Sequence, residues 1–353
     1  MKLLHLPNEP GGFIQSGPRM AFKKLLANGV IGDYLAYSFE KRNEELANHQ
    51  AALEELRQTV QKFQPDVIFI QHMNKSYSID RKYVQDLKSI ASKPKIVIQE
   101  ADAYGRNIKR IDSTQRALFK ESDMVFLVGL GYLAEEVRKS GAQRVRYIQH
   151  AYDDEKFGTS WRQTTYRKYD AIMTGNLHNI KRLPSIYMPG GKKRKETAGL
   201  LEAMLRERFA IFGGGKGWKN LKSHKGPIPF YDQEKYIRSA WVTVGWDHFN
   251  DLPMYSSDRV PISIACGVPH VTNHQPGFEH LYYSKTPGLY AVKSPQDVVD
   301  VTINILSLTV EERINLGESA AKFARENLTY SIIFARAMDI IIEQLFGDNP
   351  STA

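Results

Sequence analysis

Two doubly wound α/β units, each built on its own parallel sheet, are the architecture this sequence predicts, on three observations. The chain has 353 residues, and at roughly 100–200 residues per domain that length suggests two domains. Short apolar runs alternate with amphipathic stretches from Met1 to His150, and the same alternation restarts after Lys168. Strands alternating with helices in this way imply a parallel sheet covered on both faces. Hydrophobic residues make up 42% and charged residues 25% of the chain, the composition of an ordinary globular protein rather than a disordered one.

In the first half, Leu3–Leu6, Tyr34–Phe39, Asp66–Ile70, Lys95–Ile98, Met124–Val128 and Val145–Ile148 read as strands. Asp66-Val67-Ile68-Phe69-Ile70 is the plainest, being rich in β-branched and aromatic residues. Helices are expected between them over Pro18–Ala27, Arg42–Lys62, Ile79–Ala91, Thr114–Lys120 and Leu133–Ser140. The polar segment Ala151–Lys168 reads as a linker. Beyond it Ala171–Met173, Phe209–Phe212, Trp241–Val244, His270–Thr272 and Gly288–Val292 supply the second set of strands, and Ser331–Phe346 a final helix with one strongly apolar face. The expected division is residues 1–162, 163–328 and a terminal helix over 329–353 that packs back on the first domain. Ligands of such sheets bind beyond the carboxyl ends of the strands, so the loops after strands are where chemistry is expected.

The bulk numbers exclude several classes. Cys266 is the only cysteine, which rules out an intrachain disulfide and fits a reducing compartment. The apolar start Met1–Leu6 is interrupted at once by Pro7, Asn8 and Glu9, too short for a signal peptide. No apolar run reaches the length of about 18 residues that a spanning helix needs. A cytoplasmic protein is the expectation. The formal charge is +9, and it is concentrated: between Ser160 and Phe230 stand fifteen Lys or Arg against four acids. A basic face of this kind suits a diphosphate, a nucleic acid or an anionic membrane surface, or is simply solvated.

Two doubly wound halves fit a dehydrogenase, a periplasmic-type binding protein or a nucleotide-sugar transferase, and the motifs must decide. Gly11-Gly12 follow the first strand and precede a helix, a place where backbone amides bind anions; a plain tight turn accounts for them equally. The pattern G-x-G-x-x-G is absent, and Gly213-Gly214-Gly215-Lys216-Gly217-Trp218 has neither the spacing nor the Ser or Thr of a Walker A loop. Gln99-Glu100-Ala101-Asp102 closes the strand Lys95–Ile98. In an extended chain Glu100 and Asp102 point to one side, so either could be a general base towards an acceptor hydroxyl, or a helix cap or surface ion pair. The densest signal is Ser257-Asp258-Arg259-Val260-Pro261-Ile262-Ser263-Ile264-Ala265-Cys266-Gly267-Val268-Pro269-His270-Val271-Thr272-Asn273. It reads as a small-residue helix, a glycine stop and a buried strand, with Arg259 at the helix start available to a phosphate. His5, His72, His150 and His248 are scattered and read as structural or solvent-facing. No Asp-x-Asp occurs, and no metal site is expected.

The stretch Ser257–Asn273 resembles the donor-binding segment of GT-B glycosyltransferases, most closely the CgeB-like spore-protein glycosyltransferases and more distantly the DNA-base glucosyltransferases of bacteriophages. Four further blocks follow in the family's order: Tyr147–Phe157, Ile172–Asn176, Phe209–Gly213 with Gly217-Trp218, and Gly226–Tyr231 with Tyr236–Ala240. The resemblance covers Tyr147 to Tyr282 and extends to the N-terminal half in architecture only. It implies a GT-B fold and transfer of a sugar from a nucleoside-diphosphate sugar, a UDP-sugar by preference, with no cofactor and no metal. Arg259 and Arg194 would neutralise the leaving diphosphate, helped by Lys192 and Lys193. Gly12, Gly175, Asn176, Gly213, Gly214 and Lys216 would border the donor, and Asp102, or Glu100, would be the base. The family's ribose-gripping glutamate falls on Ile262, which cannot accept those hydrogen bonds. Asp258 or Ser263 takes over, the backbone holds the ribose, the donor is unusual, or catalysis is lost.

The acceptor stays open at this stage. A carbohydrate or other small acceptor is favoured, with peripheral membrane contact as a further use of the basic face. A hydroxylated DNA base is the alternative, in which Lys219, Lys222 and Lys225 would track phosphates beside Trp218 and His224. A silent nucleotide- or nucleic-acid-binding module is the reading outside enzymology.

Overall fold

A computed structural model describes residues 1–73, 75–104, 109–158, 166–180 and 183–347. The chain divides into two compact units, Met1–Gln149 with Tyr330–Ala353, and His150–Thr329. The boundary expected at Arg162 lies outside the described residues.

The first unit runs β1 (Lys2–Leu6), α1 (Ser16–Ala27), β2 (Asp33–Ala36), α2 (Phe39–Leu46), α3 (His49–Phe63), β3 (Val67–Gln71), α4 (Arg81–Lys88), β4 (Lys95–Glu100), α5 (Ser113–Glu121), β5 (Met124–Leu127), α6 (Tyr132–Lys139) and β6 (Val145–Tyr147). Its sheet has the order β2-β1-β3-β4-β5-β6, with every pair parallel. Two local expectations are corrected. The strand expected to reach Phe39 stops at Ala36, because Phe39 opens α2 and is fully buried there. The single helix expected over Arg42–Lys62 is two. Ala47 turns left-handed at φ 48° and ends α2, and the Asn48 side chain then accepts from the Ala51 N–H and caps α3. Asparagine at that position satisfies an otherwise orphaned amide.

The second unit runs β7 (Tyr169–Thr174), β8 (Asn179–Ile180), β9 (Leu183–Tyr187), α7 (Gly191–Leu205), β10 (Phe209–Phe212), β11 (His224–Gly226), α8 (Gln233–Ile237), β12 (Ala240–Val244), α9 (Arg259–Ala265), β13 (His270–Asn273), β14 (Leu289–Val292), α10 (Pro295–Ser307) and α11 (Val310–Asn327). The parallel sheet order is β11-β10-β7-β12-β13-β14, and β8–β9 form a separate antiparallel hairpin. Neither the hairpin nor the short edge strand β11 was expected, since runs of two, five and three residues carry little usable periodicity. The core packs Met173, Ile211, Trp218, Val242, Trp246 and Val271 on and around this sheet. The ends of the unit meet each other: Tyr152 pairs with Thr329, and its N–H donates to the Leu328 carbonyl at 3.0 Å.

The last helix, α12 (Tyr330–Phe346), belongs to the first unit and packs along α1. Phe334 of α12 sits 4.9 Å from Phe22 and 5.3 Å from Phe69, ring centre to ring centre, and all three rings are buried. Beside them a polar row crosses the sheet, in which His5 on β1 bonds Gln71 on β3 at 2.8 Å and Gln71 donates to Gln99 on β4 at 2.9 Å.

Candidate active site

In the second unit the carboxyl ends of β7, β10, β12 and β13 lead into the turns that carry the sequence-predicted residues. Strand β7 lies between β10 and β12, so Gly175, Gly213 and Gly245 follow three adjacent strand ends. Arg194 in the first turn of α7 is 3% exposed and ties these turns together. Its Nε donates to the Trp246 carbonyl at 2.5 Å, and its Nη1 donates to the Asn176 carbonyl at 2.6 Å and lies 3.2 Å from His248 Nε2. Burial and the nearby Arg259 pull its pKa down to about 9, so the group is still charged at neutral pH.

Arg259 is the first residue of α9, and its Nη2 donates to Asp247 Oδ1 at 3.2 Å. Burial opposes its charge, but Asp247 and Asp258 hold its pKa above the usual arginine value. Its Nη1 lies alongside Gly175, where a β-carbon would stand 3.3 Å from that nitrogen on a backbone at φ 124°. Glycine at 175 therefore leaves the guanidinium face open. His248 is pushed down to about 2 by burial, then by Arg194 and Arg259, and stays neutral. The inner ring of the site thus sets two guanidiniums against one buried carboxylate, Asp247. The Asp247 N–H is fixed by Asn273 Oδ1 at 2.6 Å, while Asn273 Nδ2 and Trp246 Nε1 are buried with no partner among the described residues. Lys193 lies 5.2 Å over the Trp246 ring.

The glycine-rich loop is placed differently from a phosphate cradle. A β-carbon on Gly213 would fall 1.9 Å from the Gly175 carbonyl oxygen. The Gly213 N–H donates to the Gly226 carbonyl at 3.0 Å, and the Gly214 N–H to Asn176 Oδ1 at 2.6 Å. These amides are committed to packing the loop on the Gly175–Leu177 turn, and Lys216 beyond them is exposed. Ile262 is buried, and Ser263 beside it is buried with a hydroxyl that has no partner among the described residues. Asp258, half-buried ahead of α9 with no capping bond, is the one of the three with access to solvent. Lys219, Lys222 and Lys225 are exposed and form no ion pair among the described residues. Gly12 lies in the first unit, in the turn of 3-10 helix after β1.

The first unit gathers a polar cluster at the ends of β3 and β4. Glu100 is 1% exposed. Its Oε1 lies 2.8 Å from His72 Nδ1 and accepts from the Asp102 N–H at 2.9 Å, and its Oε2 accepts from Gln115 Nε2 at 3.3 Å. Asp102 is exposed and paired with Lys109. Burial lowers the His72 pKa, but the hydrogen bond and charge of Glu100, with Asp102, overcome this and raise it to about 9. His72 holds a left-handed backbone at φ 30°. Nearby Glu40 on α2 is raised to about 7 by burial, with Oε2 unpartnered. Among the described residues, His72, Glu100 and Asp102 alone bring three potential metal-ligand atoms within 4.8 Å. Lys109 on Asp102 and His72 on Glu100 already balance that charge. A groove of about 840 Å³ elsewhere on this unit is lined by Arg81, Arg110, Arg116, Lys120 and Lys139 and holds none of these three.

Residues 194–339 match a family model described as glycosyl transferase-like. The matched stretch is less than half of the chain and contains Arg194, Asp247, His248 and Arg259. No curated protein sequence matches the chain. Solved structures match nearly its whole length. HepE of Anabaena in complex with UDP-glucose aligns at a TM-score of 0.58 and 12% identity, over 97% of this chain and 99% of that one. The sucrose-phosphate synthase of Thermosynechococcus elongatus aligns at 0.57 and 13%, over 98% and 99%. TarM aligns at 0.52 and 11%, over 82% of this chain and 58% of its own. The fold is GT-B.

Within residues 194–339, Trp246 and Asp247 were not singled out from the sequence and His248 was read as structural or solvent-facing, although all three follow β12 and the strand-end rule applied to Glu100 and Asp102 covers them equally. The same rule applied to β3 reaches His72. No membrane-spanning candidate exists among the described helices.

Proposed function

We propose that the protein is a glycosyltransferase that moves a sugar from a nucleoside-diphosphate sugar, a UDP-sugar by preference, to a hydroxyl of a carbohydrate or other small acceptor. The observation that carries this reading is the pair of guanidiniums, buried Arg194 and half-buried Arg259, set against a single buried carboxylate beside the side-chain-free Gly175. Two cations against one anion in a water-poor site leave positive charge that a diphosphate would neutralise. Arg259 keeps Nη1 and Nε for the ligand, Lys193 extends the basic edge, and Asp258 takes the ribose hydroxyls that Ile262 cannot bind. Leaving-group charge is then carried by fixed cations instead of a metal ion. Asp102, or Glu100 beside it, is the base proposed for the acceptor hydroxyl. The UDP and UDP-glucose seen bound to HepE are in keeping with this donor.

Calorimetry with UDP tests the reading. Arg259→Ala is expected to lose about 2–3 kcal/mol of binding, the scale of a hydrogen bond to a charged group, while the fold persists. Unchanged UDP affinity would remove Arg259 from the donor site, and a wild-type protein binding no nucleoside diphosphate would sink the reading as a whole.

A further inference from the structure

We propose that the groove on the first unit, between α4, α5 and α6, binds an acidic oligosaccharide, a carbohydrate that carries carboxylates or sulfates at intervals along its chain. The groove holds about 840 Å³, the room of a site for an organic molecule and more than a single inorganic anion fills. Five cations line it, Arg81, Arg110, Arg116, Lys120 and Lys139, against two acids, Asp80 and Glu136. Both acids are committed elsewhere. Asp80 caps α4 by accepting from the Tyr83 N–H at 2.8 Å, and Glu136 pairs with Lys139 at 3.2 Å. Arg81 is held by Glu121. Arg110, Arg116 and Lys120 are exposed and have no acidic partner among the described residues.

The local fold gathers these charges. Arg116 and Lys120 stand one turn apart on α5, about 6 Å along its axis, and share a face. Gly141 follows α6 and sits against the end of α5. A β-carbon on it would fall 3.0 Å from Lys120 Cγ and 3.2 Å from Lys120 Cα, on a backbone at φ 108° that glycine adopts readily. Glycine there lets the two helix ends close together and sets Lys120 in the same groove as Lys139. Helix-end electrostatics account for Lys120 and Lys139, which lie in the last turns of α5 and α6. They do not account for Arg110, which precedes the N-terminus of α5, where a cation is unfavourable. Nor do they account for Arg116, which has another cation one turn further on. Like charges collected on one concave wall repel, and a bound anion relieves that repulsion.

The lining chooses among anions. None of its described residues is aromatic, so nothing there stacks a base, as sites for single-stranded nucleic acid do. A concave wall does not meet the plane of a bilayer. The hydroxyl residues Ser113 and Ser140 stand among the cations, and hydroxyls beside unopposed cations match a ligand that alternates hydroxyl with anionic groups. Such a chain would be an acidic acceptor held on the enzyme, a use that rests on the glycosyltransferase reading above; its binding in the groove does not depend on that reading.

Calorimetry on the full chain tests this with a galacturonic acid pentamer and neutral maltopentaose, at about 50 mM and about 300 mM salt, a range over which exposed charges become strongly screened. The acidic pentamer should bind and weaken with salt, and maltopentaose should not bind. Arg116→Gln combined with Lys120→Gln should weaken the acidic pentamer about tenfold, the scale of two exposed ion pairs, with the circular dichroism spectrum and UDP affinity unchanged. Arg110→Gln, outside the helices, should also weaken it, and supplies the readout if the pair of changes perturbs α5. Lys219→Gln combined with Lys222→Gln, exposed cations of the second unit, should leave the affinity as it was. Undiminished binding in the groove variants, an equal loss in the second-unit variant, or equal binding of maltopentaose would overturn the proposal. Tighter binding of tripolyphosphate or of a DNA single strand than of the acidic pentamer would overturn it too. A wild-type protein that binds the pentamer and not UDP would sink the donor reading and leave the groove assignment standing; one that binds UDP and not the pentamer would do the reverse.

Discussion

Two arginines and two glycines show how far residue identity predetermines role. Arg259 and Arg194 look equivalent in the sequence, yet the first is engaged only through Nη2 with Asp247 among the described residues, while the second joins the turns after β7 and β12. Arg194→Met should therefore lower stability as well as UDP affinity, and Arg259→Ala, which leaves the buried Asp247 carboxylate without its ion pair, should lower both too while still folding. Gly175 and Gly213 likewise differ in purpose, one keeping a guanidinium open and the other letting two turns touch. Gly213→Ala would set a methyl 1.9 Å from the Gly175 carbonyl oxygen. We expect it to destabilise the protein by at least about 2 kcal/mol, the scale of overpacking, measured by urea denaturation; a loss below about 0.5 kcal/mol would show that the loop moves freely. Residue types and their order in the chain were legible: Arg259 at a helix start and Glu100 at a strand end are both where the pattern put them. Which nitrogen or oxygen stays unengaged was not, because that depends on partners such as Trp246, Asn176 and Gln115 that lie 15 to 52 positions away in the chain.

At the scale of the element, the long parallel strands were legible and the short pieces were not. Buried strands such as Val67–Gln71 and Ala240–Val244 announce themselves as apolar runs, because both of their faces are covered. The break between α2 and α3 rests on the local backbone of Ala47 and Asn48, which hydrophobic periodicity does not register. Helix α12 was visible from its apolar face, and its partners follow from the aromatic contacts of Phe334 with Phe22 and Phe69. Phe334→Ala should cost about 3–5 kcal/mol, as large-to-small changes in a packed core do. Denaturation monitored by tyrosine and tryptophan fluorescence checks this, and a loss under about 1 kcal/mol would mean that α12 contributes little to the first unit.

For the molecule as a whole, buried titratable groups set opposite limits on stability. His5 and His270 are lowered by burial to about 3, and His248 to about 2. A folded state that resists protonation loses stability as pH falls below the unfolded histidine value of about 6.5. His72 is raised to about 9, so its contribution is complete below about 6.5 and is lost as pH climbs through 9. Glu40, raised to about 7, acts in the same direction, its loss beginning above the ordinary carboxylate value. The melting temperature should therefore peak between about pH 6 and 7 and fall on both sides. His72→Gln should flatten the alkaline side while leaving the acid side intact; an unchanged alkaline slope would contradict the raised His72 value.

The pairing of Tyr152 with Thr329 closes the second unit on itself, and this has a consequence for biosynthesis. Everything that unit needs lies in one uninterrupted stretch, from His150 to Thr329. The first unit is split, and its aromatic centre lacks Phe334 until α12 leaves the ribosome. The segment translated second is thus free to mature first, while the segment translated first waits with Phe22 and Phe69 uncovered. A nascent chain halted at Thr329 would present that apolar patch to chaperones, and a ribosome-bound chain of this length should be captured by them where the finished protein is not.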